Sequence, residues 1–164
     1  MPYTGTESSL KDSHLIVETL GFDAGAAITA STYSITKEND AFRPLVFDRA
    51  AGCTVTLPAS SGSLATYRLI IKTTISSNNF ILQVANSTDV MNGSIAFLQD
   101  TGTGGLAKAW AAADNDDTIT MNGTTKGGYA GTVIEITDYA SGFWVAHCMG
   151  RQSGVVATPF SAAV

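Results

Sequence analysis

The sequence predicts an all-β protein: an antiparallel β-sandwich or β-barrel-like single domain with an extended N-terminal arm. Three observations carry this. Short runs of alternating polar and apolar residues recur from Gly52 to Trp144, rich in β-branched and aromatic side chains. Gly, Asn, Asp or Pro bounds nearly every run. At 164 residues the chain is one domain, or one domain plus an arm, and is long enough to bury a core without disulfides.

The runs follow in order. Thr54-Val55-Thr56-Leu57 alternates and stops at Pro58. Tyr67–Thr73 and Phe80–Val84 are the second and third runs. Asp117–Met121 leads into Asn122-Gly123, and Gly131–Ile136 and Gly142–Ala146 close the series. Asn-Gly is the strongest short-range hairpin signal, because a type I′ turn needs positive φ at both central residues. Met91-Asn92-Gly93 and Met121-Asn122-Gly123 are therefore read as two similar hairpins. Leu106–Ala113 is alanine-rich with Trp110, which suits one short helix. The expected core is Val55, Leu57, Leu69, Ile71, Ile81, Val84, Ile119, Val133 and Trp144.

Three parts are expected: an arm over residues 1–28, a β-rich body over 29–148 and an irregular tail over 149–164. Within the arm, Ser9–Leu20 is read as a short helix or an extended segment, and the β-branched Ile16 and Val17 lean Ser13–Glu18 towards strand.

The formal net charge is −5 and only 14% of residues are charged. Nucleic-acid binding wants a basic stripe, so no nucleic-acid partner is expected. No apolar run reaches 18 residues, so no membrane span is expected. The first residues lack a basic segment followed by an apolar core, and synthesis in a cytoplasm is expected. A surface with little charge and much Ala, Thr, Ser and Gly favours being covered by a neighbour.

Catalytic chemistry finds little support. His147 and Cys148 are adjacent, so on a strand they point to opposite faces. No Gly-x-Ser-x-Gly elbow occurs. Asp48, Glu135 and Asp138 are carboxylates that no spacing argument pairs for glycoside hydrolysis. No catalytic residue, cofactor or metal site is expected. Asp114-Asn115-Asp116-Asp117 reads as a solvated acidic turn, with a Ca²⁺ loop as the alternative, although the EF-hand spacing is missing. Cys53 and Cys148 are expected as buried thiols, and their pairing is left open. Trp110, Tyr129, Tyr139, Phe143 and Trp144 offer a possible sugar-stacking set, with one of Phe143 and Trp144 expected in the core.

The body also carries a family resemblance. The order Thr54-Val55-Thr56-Leu57-Pro58, Tyr67-Arg68-x-Ile70, Asn79-x-Ile81-x-Gln83-Val84 and Ala85–Met91-x-Gly93 opens it. Asp117–Thr120, Gly123-Thr124-Thr125-x-Gly127-Gly128, Gly142-x-Trp144-Val145 and the closing Ala157–Ser161 complete it. This resembles the small β-rich structural proteins of tailed bacteriophages, in particular those that decorate or cement the outside of the head. Similar strand-and-turn sequence occurs in phage fibre and tail modules, where the role would be binding a receptor or glycan. The resemblance implies a virion protein on the capsid exterior whose partner is the major capsid protein and which self-associates, often as a homotrimer. The candidate contact residues are Leu15, Ile16, Val17, Leu20 and Phe22 in the arm, with Trp110 and Phe160 beyond it.

Overall fold

The computed structural model describes residues 26–100 and 105–164. Eleven strands and one helical turn occur in chain order. They are β1 (Thr32–Ser34), α1 (Lys37–Asp40), β2 (Pro44–Phe47), β3 (Thr54–Thr56), β4 (Thr66–Ile71) and β5 (Phe80–Gln83). Then come β6 (Val90–Asp100), β7 (Gly105–Ala111), β8 (Thr118–Met121), β9 (Val133–Ala140), β10 (Phe143–Gln152) and β11 (Phe160–Ser161). Two sheets pack face to face over one core: five strands in the order β1-β3-β5-β8-β11 and six in the order β2-β4-β9-β10-β6-β7. The all-β sandwich is thus the fold. Residues 1–25 of the expected arm lie outside the described residues.

Pairing direction departs from the expectation. The sheets are mixed: β1–β3, β3–β5, β2–β4 and β6–β10 are parallel. The physical reason is the path of the chain. From β1 to β5 it crosses to the other sheet at every step, so each strand lies beside its predecessor-but-one. A strand that crosses over and returns runs in its neighbour's direction. Alternation within a strand reports which face is buried, and says nothing about this path.

Burial follows period two. On β10, Trp144, Ala146 and Cys148 point inward while Phe143, His147 and Met149 point out. Trp144 is fully buried and its ring meets Tyr67 at 6.0 Å. Two expected core residues sit on the other face. Phe80, Leu82 and Val84 fill the core in place of Ile81, and Ile134 and Ile136 in place of Val133.

Three local expectations are corrected. Asn92-Gly93 is no turn: it lies inside β6, opposite Val145 and Ala146 of β10. Gly93 has φ +111°, and a Cβ there would stand 2.1 Å from the Ala146 carbonyl oxygen. The glycine allows close strand approach instead of chain reversal. Asn122-Gly123 does bend the chain, but into a small loop. Asn122 Oδ1 accepts from the backbone N–H groups of Thr124 and Lys126, and Gly123 N donates to Gly127 O. The alanine-rich stretch is the strand β7, paired antiparallel to β6 from Ser94–Ala111 to Asp100–Gly105. Cross-strand pairing and the packing of Trp110 on Phe97, at 5.9 Å, override helix propensity.

The tail is also more ordered than expected. β10 runs to Gln152, and Phe160–Ser161 joins β8 as an edge strand. Asp117 holds the chain end: its carboxylate accepts from Thr118 Oγ1 and from the backbone N–H of Ala163 and Val164.

Candidate interaction surfaces

Register places the outward residues of the six-stranded sheet in rows that cross it. One row is Val46, Ile70, Val133, Met149, Ala96 and Ala109. All six are apolar, so an apolar stripe spans every strand of the sheet. Met149 is 70% exposed in its middle. The neighbouring row is Pro44, Arg68, Glu135, His147, Ser94 and Ala111. It puts Arg68 and His147 on either side of Glu135. A shallow cleft of about 430 Å³ lies between these rows, lined by Arg68, Val133, Glu135, His147 and Met149. On the far side of the apolar row, Leu98 is 56% exposed opposite Ala107.

The end of this sheet is the second feature. In an antiparallel ladder, alternate residues turn both backbone groups to the partner strand. Ala112 N donates to Gly93 O at 3.1 Å, in continuation of the Ser94–Ala111 register. Trp110, Lys108 and Leu106 therefore face β6, whereas Gly105, Ala107, Ala109 and Ala111 direct their N–H and C=O away from the sheet. Those four outward residues have the smallest side chains available, and β7 contains no proline. Natural edge strands are normally blunted by charge, proline or a bulge. Here one lysine, Lys108, is the only charge on the seven-residue strand.

A third feature is polar. Asp138 is buried on β9 and accepts hydrogen bonds from the loop between β3 and β4. The donors are Ser60 Oγ, Ser61 N and Oγ, Gly62 N, and Ser63 N and Oγ, at 2.7–3.1 Å. Burial alone would raise its pKa. The donors from Ser63, Ser60 and Gly62 outweigh that and hold the carboxyl well below the ordinary range. The one Ser60 hydroxyl proton lies between Asp138 Oδ1 and Ala140 O, and Ser60 Oγ accepts from Phe143 N–H, so the loop is tied to both β9 and β10. Asp138 is a structural latch with no lone pair free for acid–base work. Nothing in the sequence joins it to a loop more than 70 residues earlier, except that Ser60-Ser61-Gly62-Ser63 is dense in donors.

The other candidate groups are accounted for in the same way. Asp48 pairs with Lys72 at 2.8 Å and accepts from Thr73 Oγ1. Asp116, expected in a solvated turn, is buried and accepts from Ala113 N at 2.7 Å. Asp117 is equally buried and engaged with the chain end. Asp116 accepts one backbone N–H, and Asp117 accepts two together with the Thr118 hydroxyl. Among the described residues no group of three or more His, Cys, Asp and Glu stands together as a metal site. Cys53 and Cys148 are both free and buried. Burial pushes the Cys148 thiol up to about 12 and raises Cys53, although Arg49 pulls the latter back in part. Neither is a thiolate at neutral pH.

The expected contact residues fare unequally. Leu15, Ile16, Val17, Leu20 and Phe22 lie outside the described residues. Trp110 is half-buried against Phe97 near the free edge of β7. Phe160 is 4% exposed and sits in the core opposite Ile119, so it offers no surface to a partner. Sequence reasoning missed Met149, Leu98 and the outward alanines of β7. Phe143 is the exposed member of its pair, as the strand alternation required, and stands 6.1 Å from Tyr139.

Among the described residues no helix is long and apolar enough to cross a membrane. Comparison with protein-family models, with curated proteins and with solved structures returned no match.

Proposed function

We propose that the protein is a structural component of a tailed-phage particle, which binds the outer surface of the capsid and stabilises the shell as a self-associated unit, a homotrimer. It acts by contact and not as an enzyme. Its partners are the major capsid protein and further copies of itself, and it works on the capsid exterior after synthesis in the host cytoplasm. The observation that carries this reading is the six-stranded sheet. The sandwich presents one apolar row that crosses every strand of this sheet and, among the described residues, leaves the β7 edge unpaired, which is surface shaped to be covered. The sequence resemblance points the same way. Repeated weak contacts suffice for such a role, because a multimer raises the effective concentration for its second and third contacts. Binding of purified protein to shells assembled from the cognate major capsid protein tests it. Saturable binding that raises the temperature of shell disruption is expected. Shells that neither bind the protein nor gain stability would overturn the reading.

One observation favours a second reading, a receptor- or glycan-binding fibre or tail module. Tyr139 and Phe143 are 41% and 43% exposed, and Asn92 Nδ2 donates to the Tyr139 hydroxyl at 2.7 Å. An exposed aromatic pair beside an amide is a stacking platform that sugars use. Glycan binding abolished by Phe143→Ala would move the protein to that class.

A further inference from the structure

We propose that the edge of β7, unpaired among the described residues, takes up residues His14–Leu20 of a neighbouring copy as a seventh strand of the six-stranded sheet. The inference deepens the self-association in the function proposed above and needs no shell, so the two fail separately.

The acceptor is described above. Gly105, Ala107, Ala109 and Ala111 offer four N–H and four C=O groups along one line, and among the described residues no strand pairs with them. Main-chain pairing supplies the affinity in such strand addition, and side chains set the partner.

Three observations choose the occupant. The first is composition: His14-Leu15-Ile16-Val17-Glu18-Thr19-Leu20 has β-branched residues at its centre and no proline or glycine. The second is charge. Two copies of β7 paired antiparallel to satisfy all four outward residues would set Gly105 against Ala111 and Ala107 against Ala109. That register also places Lys108 directly opposite Lys108 of the second copy, and like charges so placed are destabilising. The segment His14–Leu20 brings Glu18 and no lysine or arginine.

The third is reach, and it decides between the same chain and another. The described chain begins at the opposite edge of this sheet. Ile28 N donates to Val46 O at 2.7 Å and Asp48 N donates to Ile28 O at 2.9 Å, so Ile28 occupies a strand position outside β2. From there to a strand added beyond β7 is seven strand spacings, or about 34 Å at ~4.8 Å each. Leu20 and Ile28 are eight residues apart, which spans at most about 29 Å fully extended. The segment cannot reach the β7 edge of its own chain, whereas a neighbour whose β7 lies beside β2 is within range. Donor and acceptor sit on opposite edges of the protomer, so the contact is head-to-tail, and such contacts form rings where the rotation closes and open filaments where it does not.

Two proline variants test this in the full-length protein, with mass in solution measured by light scattering. Ala109→Pro removes an outward donor and leaves the β6 ladder intact, since edge strands tolerate proline at such positions. Val17→Pro disables the donor segment and leaves the acceptor edge. The wild type is expected to self-associate and each variant to be monomeric. An equimolar mixture of the two is expected to form a complex of two copies and no more, because one supplies the only working segment and the other the only working edge. Far-UV circular dichroism verifies folding, and Ala107→Pro replaces Ala109→Pro if that variant unfolds. A monomeric wild type, an associating Val17→Pro, or a mixture that stays monomeric would each overturn the proposal.

Discussion

Asp138→Asn isolates the latch that ties the β3–β4 loop to β9 and β10. The substitution keeps the shape and one acceptor oxygen. The other oxygen becomes an NH₂ group facing Ser61 Oγ, Ser63 N and Ser63 Oγ. The hydroxyls rotate to accept instead, but the Ser63 backbone N–H cannot. One stranded buried N–H costs about 1–3 kcal/mol, and loss of charge on the remaining bonds adds roughly 1. A loss of about 2–4 kcal/mol corresponds to a fall in melting temperature of roughly 5–15 °C for a chain of this size. Denaturation in urea at pH 7 measures it. The pH dependence is the sharper test. The folded pKa of Asp138 lies below its unfolded value, so its contribution is fully present above the unfolded pKa of about 4. It is lost as pH falls towards the folded pKa. The gap in stability between wild type and Asp138→Asn is therefore expected to be constant from about pH 5 to 8 and to narrow below about pH 4. A gap absent at pH 7, or one that widens in acid, would refute the reasoning.

Gly93→Ala is expected to destabilise by more than about 3 kcal/mol, since a Cβ would collide with the backbone of β10 in a conformation that L residues avoid. Chemical denaturation checks this, and a loss under about 1 kcal/mol would mean the strands are not so close. Cys53 and Cys148 are expected to resist iodoacetamide in the native protein at pH 8 and to react fully once unfolded, as read by intact mass. Rapid native labelling of Cys148 would contradict its place in the core.

What could be read from the residues was the face each strand buries where the pattern was unambiguous. Val55, Leu57 and Ile119 follow or sit between threonines and are in the core, as are Leu69, Ile71, Val84 and Trp144. Phe80-Ile81-Leu82 and Val133-Ile134 are apolar at successive positions, so either face can be read as buried there, and Ile81 and Val133 were assigned to the wrong one. A one-residue slip exchanges the faces of a whole strand. β7 escaped because alanine favours helix in isolation, while its strand state is imposed by β6, a tertiary cause that no window of sequence contains. Asn92-Gly93 has the composition of a turn, but its glycine answers to Ala146, more than 50 residues away. Asp138 and Asp117 looked like free acidic groups for the same reason: their partners are backbone donors that only the fold brings near. The candidate surface was legible only as a composition with little charge. Its location, in one row of six outward residues and one open edge, required the register.

The most direct measurement is the copy number of this chain relative to the major capsid protein in purified particles, by quantitative mass spectrometry. The account predicts a near-stoichiometric ratio, or one trimer for every few shell subunits. A handful of copies per particle would contradict it in favour of a tail or fibre module, and absence from particles would contradict both readings.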